Sequence, residues 1–406
     1  MDKGGKDFTP AAAQPILLSD GTTLGERAKE HVEVLAGEIG PRPAGSAGEA
    51  QGREYAARQL QDLGYETRLQ PIRFAPLPAF VPLYALAGLA LVLGGWGISL
   101  SPWLGIWLPL LFAALPEISR WEIRRRPLTQ AGANLYAELP GQDTGLPRLV
   151  LCAHLDTGRA IALPAGLPRR LYHRTLDIVQ RAAIAIAALG VVLLLGLPLP
   201  GWVLAAAGLA GSLTGGWLIA IEIVNQTAAP HYSPGAVDNA SGVGCVLALA
   251  EHYAHHSPGR LRLGYLLTGA EETGLHGARA FAESLAASPV SVRVICLDQV
   301  GAGDRLRYVS RDGTLFSQAT DERLNQAILS AIPGASPLWH SDKSGDSAAF
   351  LRHGIPAAEI QASGSAQAGL AYHTTADLPG LVQERTLSLA CQAIVGAVDV
   401  LKYELN

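Results

Sequence analysis

Charge is what this chain has least of. Only 16% of its 406 residues are Asp, Glu, Lys or Arg, against 49% hydrophobic. The mean hydropathy of +0.22 is high for a water-soluble enzyme and implies that part of the chain meets lipid. The deficit is concentrated: no charged residue occurs from Phe74 to Pro116 or from Ala182 to Ile221. A basic tail and a basic stripe with interleaved aromatics are both lacking, which with a net charge of −4 and a pI near 6.3 argues against nucleic acid as a partner. Cysteine is sparse too. Cys152, Cys245, Cys296 and Cys391 show no CxxC spacing, and all but Cys391 lie in apolar runs. They read as reduced core residues rather than disulfides or metal ligands, which favours a reducing compartment. Met1 to Leu18 lacks a continuous apolar run, so no cleavable signal peptide is expected.

Each charge-free run is long enough for two helices, since a bilayer needs ~20 apolar residues per span. Turns near 99–102 and 198–201 predict two transmembrane helical hairpins, 79–99 with 102–118 and 179–197 with 202–224. Arg120, Arg124, Arg125 and Arg126 follow the first hairpin, and Arg169, Arg170, Arg174 and Arg181 precede or open the second, whereas both tips are uncharged. The positive-inside rule then places the body of a multi-pass inner (cell) membrane protein in the cytoplasm. The lipid bilayer is thus one expected partner. The body would consist of segments 1–73, 120–177 and 226–406, interrupted by hairpin insertions at 74–119 and 178–225.

That body alternates between strand and helix signals. Helical spacing runs from Thr23, is broken at Gly40-Pro41-Arg42-Pro43, and resumes from Gly48 to Leu63, where Gly64 suits the cap. Tyr65 to Ile72 alternates like a strand. Arg148–Ala153, Leu261–Leu267, Val292–Leu297 and Ile355–Ile360 read as strands, the first three as buried as those covered on both faces of a sheet. Helices are expected at Gly244–His255, Gly277–Leu285, Ser347–His353 and Leu381–Leu401. The fold class is α/β.

The polar residues that remain sit where these strands end. Thr268-Gly-Ala-Glu271-Glu272-Thr-Gly274 follows one strand and sets two adjacent carboxylates in a glycine-bracketed turn. Adjacent side chains point different ways, so one could hold a metal while the other handles a proton. His154-Leu-Asp156 follows another; residues two apart share a face, so Asp156 can lie close enough to orient the His154 imidazole. Asp238 precedes a helix, where it serves either as an N-cap or as a metal bridge. Asp298 follows a third strand, and His373 lies in a polar loop whose Asp377 reads either as a further group supporting the site or, by preference, as a turn residue. Mixed carboxylate and imidazole donors without cysteine suit zinc, manganese or cobalt in an open, non-structural site. Two ions ~3.5–4 Å apart could activate water and polarise a substrate carbonyl, the chemistry of amide hydrolysis.

At these positions the chain resembles the zinc aminopeptidases of clan MH, the family of bacterial leucyl aminopeptidase and aminopeptidase Y. The shared features are His154-x-Asp156, Gly235-Ala-Val-Asp238-Asn-Ala-Ser-Gly242, Glu271-Glu272-x-Gly274, Leu297-Asp298, Tyr372-His373-Thr and the opening Ile39-Gly-Pro-Arg-Pro-Ala-Gly-Ser46. The resemblance implies a three-layer sandwich around a mostly parallel mixed sheet, the zinc exopeptidase fold. It also implies a co-catalytic pair of Zn2+ ions and peptide substrates. One ion would be held by His154 and Glu272 and the other by Asp298 and His373, with Asp238 bridging. Glu271 would be the general base, with Asp156 supporting the site. Two features depart from the family. Gly345-Asp346-Ser347-Ala-Ala-Phe350 stands where relatives commonly carry Ser-Asp-His-x-x-Phe, and the hairpins are absent from secreted members. The expectation is a membrane-anchored metal-dependent aminopeptidase. A single-zinc glutaminyl-cyclase-like acyltransferase and a noncatalytic membrane receptor or scaffold on the same fold are the alternatives.

Overall fold

In the computed structural model, residues 15–76, 82–111, 125–161, 169–227, 231–285, 291–313, 317–340 and 344–404 are described. The chain divides into two compact units: Met1–Pro76, Pro127–Ala160 and Tyr232–Asn406 form one, and Leu77–Arg126 and Ile161–His231 the other. The larger unit contains strands β1 (Glu66–Phe74), β2 (Gln130–Glu138), β3 (Arg148–His154), β4 (Arg262–Thr268), β5 (Val292–Leu297), β6 (Gly303–Asp312), β7 (Gln318–Ala319), β8 (Ser336–His340) and β9 (Ala357–Gly364). They form one sheet in the order β1-β2-β4-β3-β5-β9-β6-β7, with β8 beside β6. The central strands β4, β3, β5 and β9 are parallel, and β2 on one flank and β6 on the other are antiparallel to their neighbours.

Burial on both faces explains the continuous apolar runs. Leu149, Leu151 and Ala153 of β3 face one hydrophobic cluster with Tyr265 and Ile295; Val150 and Cys152 face a second with Leu266, Val294 and Cys296. The first cluster is covered by α1 (Leu24–Val32), α2 (Ala47–Asp62), α7 (Ser241–His255), α9 (Glu322–Ala331) and α12 (Glu384–Glu404). The second is covered by α8 (His276–Leu285) and α10 (Asp346–Arg352). A capping box starts α1: Thr23 Oγ1 accepts from the Glu26 amide and Glu26 Oε2 accepts from the Thr23 amide. The helix passes into a π-helical stretch, Glu33–Ile39, that ends at Gly40. Although Glu384–Tyr403 is long and apolar enough to span a bilayer, Leu387, Ala390, Ile394, Ala397 and Leu401 are wholly buried in the first cluster. It is a core helix.

Several elements go beyond the sequence expectation. The fourth expected strand extends further, to Gly364. β2 has no clean alternation, and its pairing with β1 along its whole length supplies what local propensity does not. The arginine-rich β6 is likewise fixed by its neighbours, β9 and β8.

The smaller unit contains α3 (Pro82–Gly97), α4 (Pro102–Leu111), α5 (Arg169–Leu194) and α6 (Gly201–Thr227). The parts of the expected first hairpin at 79–81 and 112–118, with Arg120 and Arg124, lie outside the described residues. α5 begins ahead of its expected start, since arginine and leucine are good helix formers. α3 and α6 meet through glycine: a methyl group on Gly88 would overlap the Gly215 carbonyl, and one on Gly211 the Leu91 carbonyl. Trp96 Nε1 donates to Ser212 Oγ across the same contact (2.9 Å). Large apolar side chains of this unit are exposed, with Trp107 62%, Leu213 75% and Trp202 74% accessible.

Candidate active site

Because β3, β4 and β5 are parallel neighbours, with His154 in register with Thr268, the segments that follow them emerge at one edge of the sheet. Such edges are where open α/β sheets bind ligands. His154 ends β3; Glu271 and Glu272 follow β4; Asp298 follows β5. Asp238 arrives from the Ala236–Ala240 turn before α7 and His373 from the loop after α11 (Ala366–Ala371). His154 Nε2 lies 3.1 Å from Asp238 Oδ1 and 3.4 Å from Asp298 Oδ1. His373 Nε2 lies 3.4 Å from Asp238 Oδ2 and 3.1 Å from Glu272 Oε2. Asp238 therefore turns one oxygen to each imidazole. Two donor clusters are completed by Asp238, one pairing His154 with Asp298 and one pairing Glu272 with His373; a third brings His154 together with Glu271 and Glu272, the partner the resemblance implied for it. The register of parallel β3 and β5 sets Asp298 beside His154.

Asp156 also acts differently from the expectation. Its carboxylate stands 3.9 Å from His154 Nδ1, too far for a hydrogen bond, and it is its backbone oxygen that lies 3.0 Å from this nitrogen. The carboxylate instead accepts from the Glu271 amide (3.0 Å) and the Glu272 amide (3.1 Å), fastening the glutamate turn to the β3 loop. Asp377 is no mere turn residue. It is 1% exposed, and its two oxygens accept from the Val237 and Asp238 amides at 2.8 and 3.1 Å. Asn239 Nδ2 donates to the Leu297 carbonyl (2.9 Å), and its Oδ1 accepts from the Gln299 amide (3.2 Å). The Asp238 turn is thereby tied to the end of β5; the Asp238–Asn239 peptide is cis.

Behind these loops lies Arg42, fully buried. Its guanidinium donates to the carbonyls of Leu155, Leu35, Gly40, Pro234 and Gly235 at 2.7 to 3.1 Å, joining the β3 loop to the Asp238 turn. Burial lowers its pKa to about 10, opposed by Asp377, Asp156 and Asp238, so it remains a cation at neutral pH. Gly-Pro-Arg-Pro marked the place in the sequence, though not its role. In the sequence nothing singles out Asn239, and for Asp377 the turn reading is preferred over a supporting one, because a backbone-holding Asx residue looks like any turn residue.

The electrostatics follow from crowded carboxylates. Burial opposes charge on His154, yet Glu271, Asp238 and Asp298 outweigh it and raise its pKa well above the ordinary value. His373 is raised in the same way, with burial overcome by Glu272 and Asp238. Burial would raise the Asp238 carboxyl, but the imidazoles of His154 and His373 beside it hold it below its usual range. Glu271 is pushed well up, chiefly by burial, with Glu272, Asp346 and Asp298 adding to it against His154. Burial raises Asp156 to about 8 and Asp377 to about 7.

These donors fit divalent cations. Glu272 Oε1, Asp298 Oδ1 and His373 Nε2 are buried, yet none makes a hydrogen bond among the described residues. Unsatisfied buried donors and acceptors are costly unless something binds them. There is also room. A Cβ on Gly158 would come within 2.8 Å of Glu272 Oε1 and 2.9 Å of His373 Nε2, so the absence of a side chain there keeps that cluster open. Imidazole and carboxylate donors suit zinc. Ala270, Gln299 and His373 hold left-handed backbone (φ 55, 52 and 48°), costing of order 1–3 kcal/mol each, as is common where function dictates conformation.

A mixed sheet with this edge has the fold of zinc exopeptidases. Residues 224–398 match the model of peptidase family M28, and the match together with the fold supports a zinc metallopeptidase, a hydrolase. No curated protein matches the chain. Among solved structures, the zinc aminopeptidase of Bacillus subtilis is similar with a TM-score of 0.55 at 15% identity, covering 93% of this chain and 95% of that one. The LapA aminopeptidase of Legionella pneumophila has a TM-score of 0.54 at 13% identity, covering 94% of this chain and 73% of that one. The glutaminyl cyclase of Porphyromonas gingivalis is as similar in fold, with a TM-score of 0.54 at 12% identity and coverage of 93% and 98%.

Proposed function

We propose that this chain is a membrane-anchored, two-zinc aminopeptidase that hydrolyses the N-terminal peptide bond of peptides. The observation that carries the reading is Asp238, which offers one oxygen to the His154–Asp298 cluster and the other to the Glu272–His373 cluster. His154, Asp298 and Asp238 would hold one ion, and Glu272, His373 and Asp238 the other. Bound ions would supply Lewis-acid polarisation of the substrate carbonyl and activation of water. Glu271 would serve as general base, taking a proton from the attacking water and passing it to the leaving amine; a carboxyl raised by burial is suited to that exchange. Asp156, through two backbone amides, keeps the Glu271 carboxylate and the Glu272 ligand in one fixed turn.

Membrane anchoring is supported by the smaller unit, whose large apolar side chains face outward and whose helices meet through glycine, the arrangement of helices packed in lipid. Gly201–Asn225 has the length and hydropathy of a span. Chain fractionation tests this: the protein should stay with membranes through alkaline carbonate extraction, and reporters fused at Ser101 or Pro200 should report the side opposite the catalytic unit. Hydrolysis is tested with amino-acyl amides and peptides of defined ends. Activity should be lost to a chelator, return with zinc, and fall by ~10²–10⁴ in Glu271→Gln; an unchanged Glu271→Gln sinks the assignment. The glutaminyl cyclase likeness supports a second reading, single-zinc cyclisation of N-terminal glutamine. One zinc per chain at full activity, with glutaminyl peptides cyclised, would establish it. A metal-binding protein that turns over neither substrate would be a scaffold.

A further inference from the structure

Glu359 is wholly buried beside the candidate site yet has no part in the chemistry above. It lies on β9, in register with Cys296, and Gln361, two residues on and 5% exposed, shares its face. Gln361 Nε2 donates to Asp298 Oδ2 at 2.9 Å and to Glu359 Oε1 at 3.2 Å. Ser347 Oγ donates to the other Glu359 oxygen at 2.8 Å. Only an amide nitrogen, with two hydrogens, allows a glutamine to serve two carboxylates at once. Glu359 therefore dictates which end of the Gln361 amide meets Asp298. The arrangement also accounts for the departure noted in the sequence at Gly345-Asp346-Ser347. Any side chain on Gly345 would overlap the Glu359 carboxylate, and Ser347 supplies the hydroxyl that binds it.

The consequence falls on Asp298. Its Oδ2 is taken by Gln361, with Gln299 Nε2 at 3.3 Å as a second donor. Its Oδ1 makes no hydrogen bond and lies 3.4 Å from His154 Nε2. We propose that Gln361, oriented by Glu359, is a positioning residue that fixes Asp298 as a one-oxygen ligand and so sets the affinity of the ion in the His154–Asp298 cluster alone. The inference rests on the two-ion reading and adds an asymmetry: among the described residues, no side-chain amide holds the Glu272 carboxylate as Gln361 holds that of Asp298.

The test is a zinc titration of metal-depleted full-length protein in detergent micelles against a chromophoric chelator, repeated with cobalt to follow its visible absorption. Wild type, Gln361→Met and Glu359→Gln are compared. Gln361→Met should weaken one of two equivalents by ~10–100-fold, the size typical of groups that orient a ligand, and leave the other unchanged. The cobalt spectrum of that one equivalent should shift. Glu359→Gln, which keeps an acceptor oxygen in place, should weaken the same equivalent less and guards against a folding defect in the first variant. Two equivalents of wild-type affinity in both variants, or equal weakening of both equivalents, overturn the role of Gln361. The wild-type titration judges the underlying reading separately, and a stoichiometry of one overturns both.

Discussion

The two units use the same residue types in opposite places. In the larger unit, leucine, valine and isoleucine fill the space between sheet and helices, and Gly158 opens the cluster of Glu272 and His373. In the smaller unit, leucine and tryptophan cover the outside while Gly88, Gly95, Gly211 and Gly215 line the contact of α3 with α6. On the proposed membrane anchoring, what differs is the solvent. In water, burying apolar area is the main favourable contribution to folding; among lipid tails that contribution between helices vanishes, and close backbone approach takes over.

The contrast can be broken at single residues. The largest effect is expected at Gly158. Gly158→Ala should lower hydrolysis on the order of 100-fold, as displacement of a site by about an ångström does, and should reduce zinc uptake with little change in unfolding temperature. An active Gly158→Ala would mean that the space has no bearing on metal binding. Next comes Leu213, near the middle of α6. Arginine on a water-facing surface costs within ~0.5 kcal/mol, whereas mid-bilayer it costs ~2.5–3.5 kcal/mol. Leu213→Arg should therefore impair membrane insertion while leaving catalysis by the detergent-solubilised fraction intact. Gly211→Leu should cost about 1–3 kcal/mol by overpacking α3 against α6, read as weakened resistance of the smaller unit to proteolysis in micelles, again with hydrolysis unaffected.

The last effect concerns acid stability of the larger unit. His31 is buried, with Nδ1 2.7 Å from Tyr55 Oη, and burial, then the charge of Arg27, lower its pKa to about 3. An unfolded histidine takes up a proton below ~6.5, while the folded one stays neutral. Stability is therefore lost as pH falls from ~6.5 towards 3, by ~1.4 kcal/mol per pH unit. His31→Gln should show a shallower fall in unfolding temperature between pH 7 and 4.5, and an equal fall would remove His31 from the account.

The parts of this architecture legible in sequence are those with a local cause. Buried parallel strands must be apolar on both faces, so Leu149–Ala153 and Val292–Leu297 announce themselves, and the polar residues directly after them are conspicuous for the same reason. His154, Asp238, Glu271, Glu272, Asp298 and His373 do converge at one edge. What sequence could not give was which donors stand next to which, because it depends on which strands are neighbours: β3 lies between β4 and β5, so His154 meets both the glutamate turn and Asp298. Nor could it give the tasks of Asp156, Asp377 and Arg42, all of which act on backbone amides or carbonyls contributed by distant segments. β2 and β6 were illegible for a related reason, their strand character coming from partners rather than from pattern.

The most direct test of the central claim is an anomalous-scattering map from crystals grown with zinc. Two peaks ~3.5–4 Å apart, one against His154 and Asp298 and the other against Glu272 and His373, with Asp238 touching both, are the expected result. A single peak, or zinc bound away from Asp238, would contradict it.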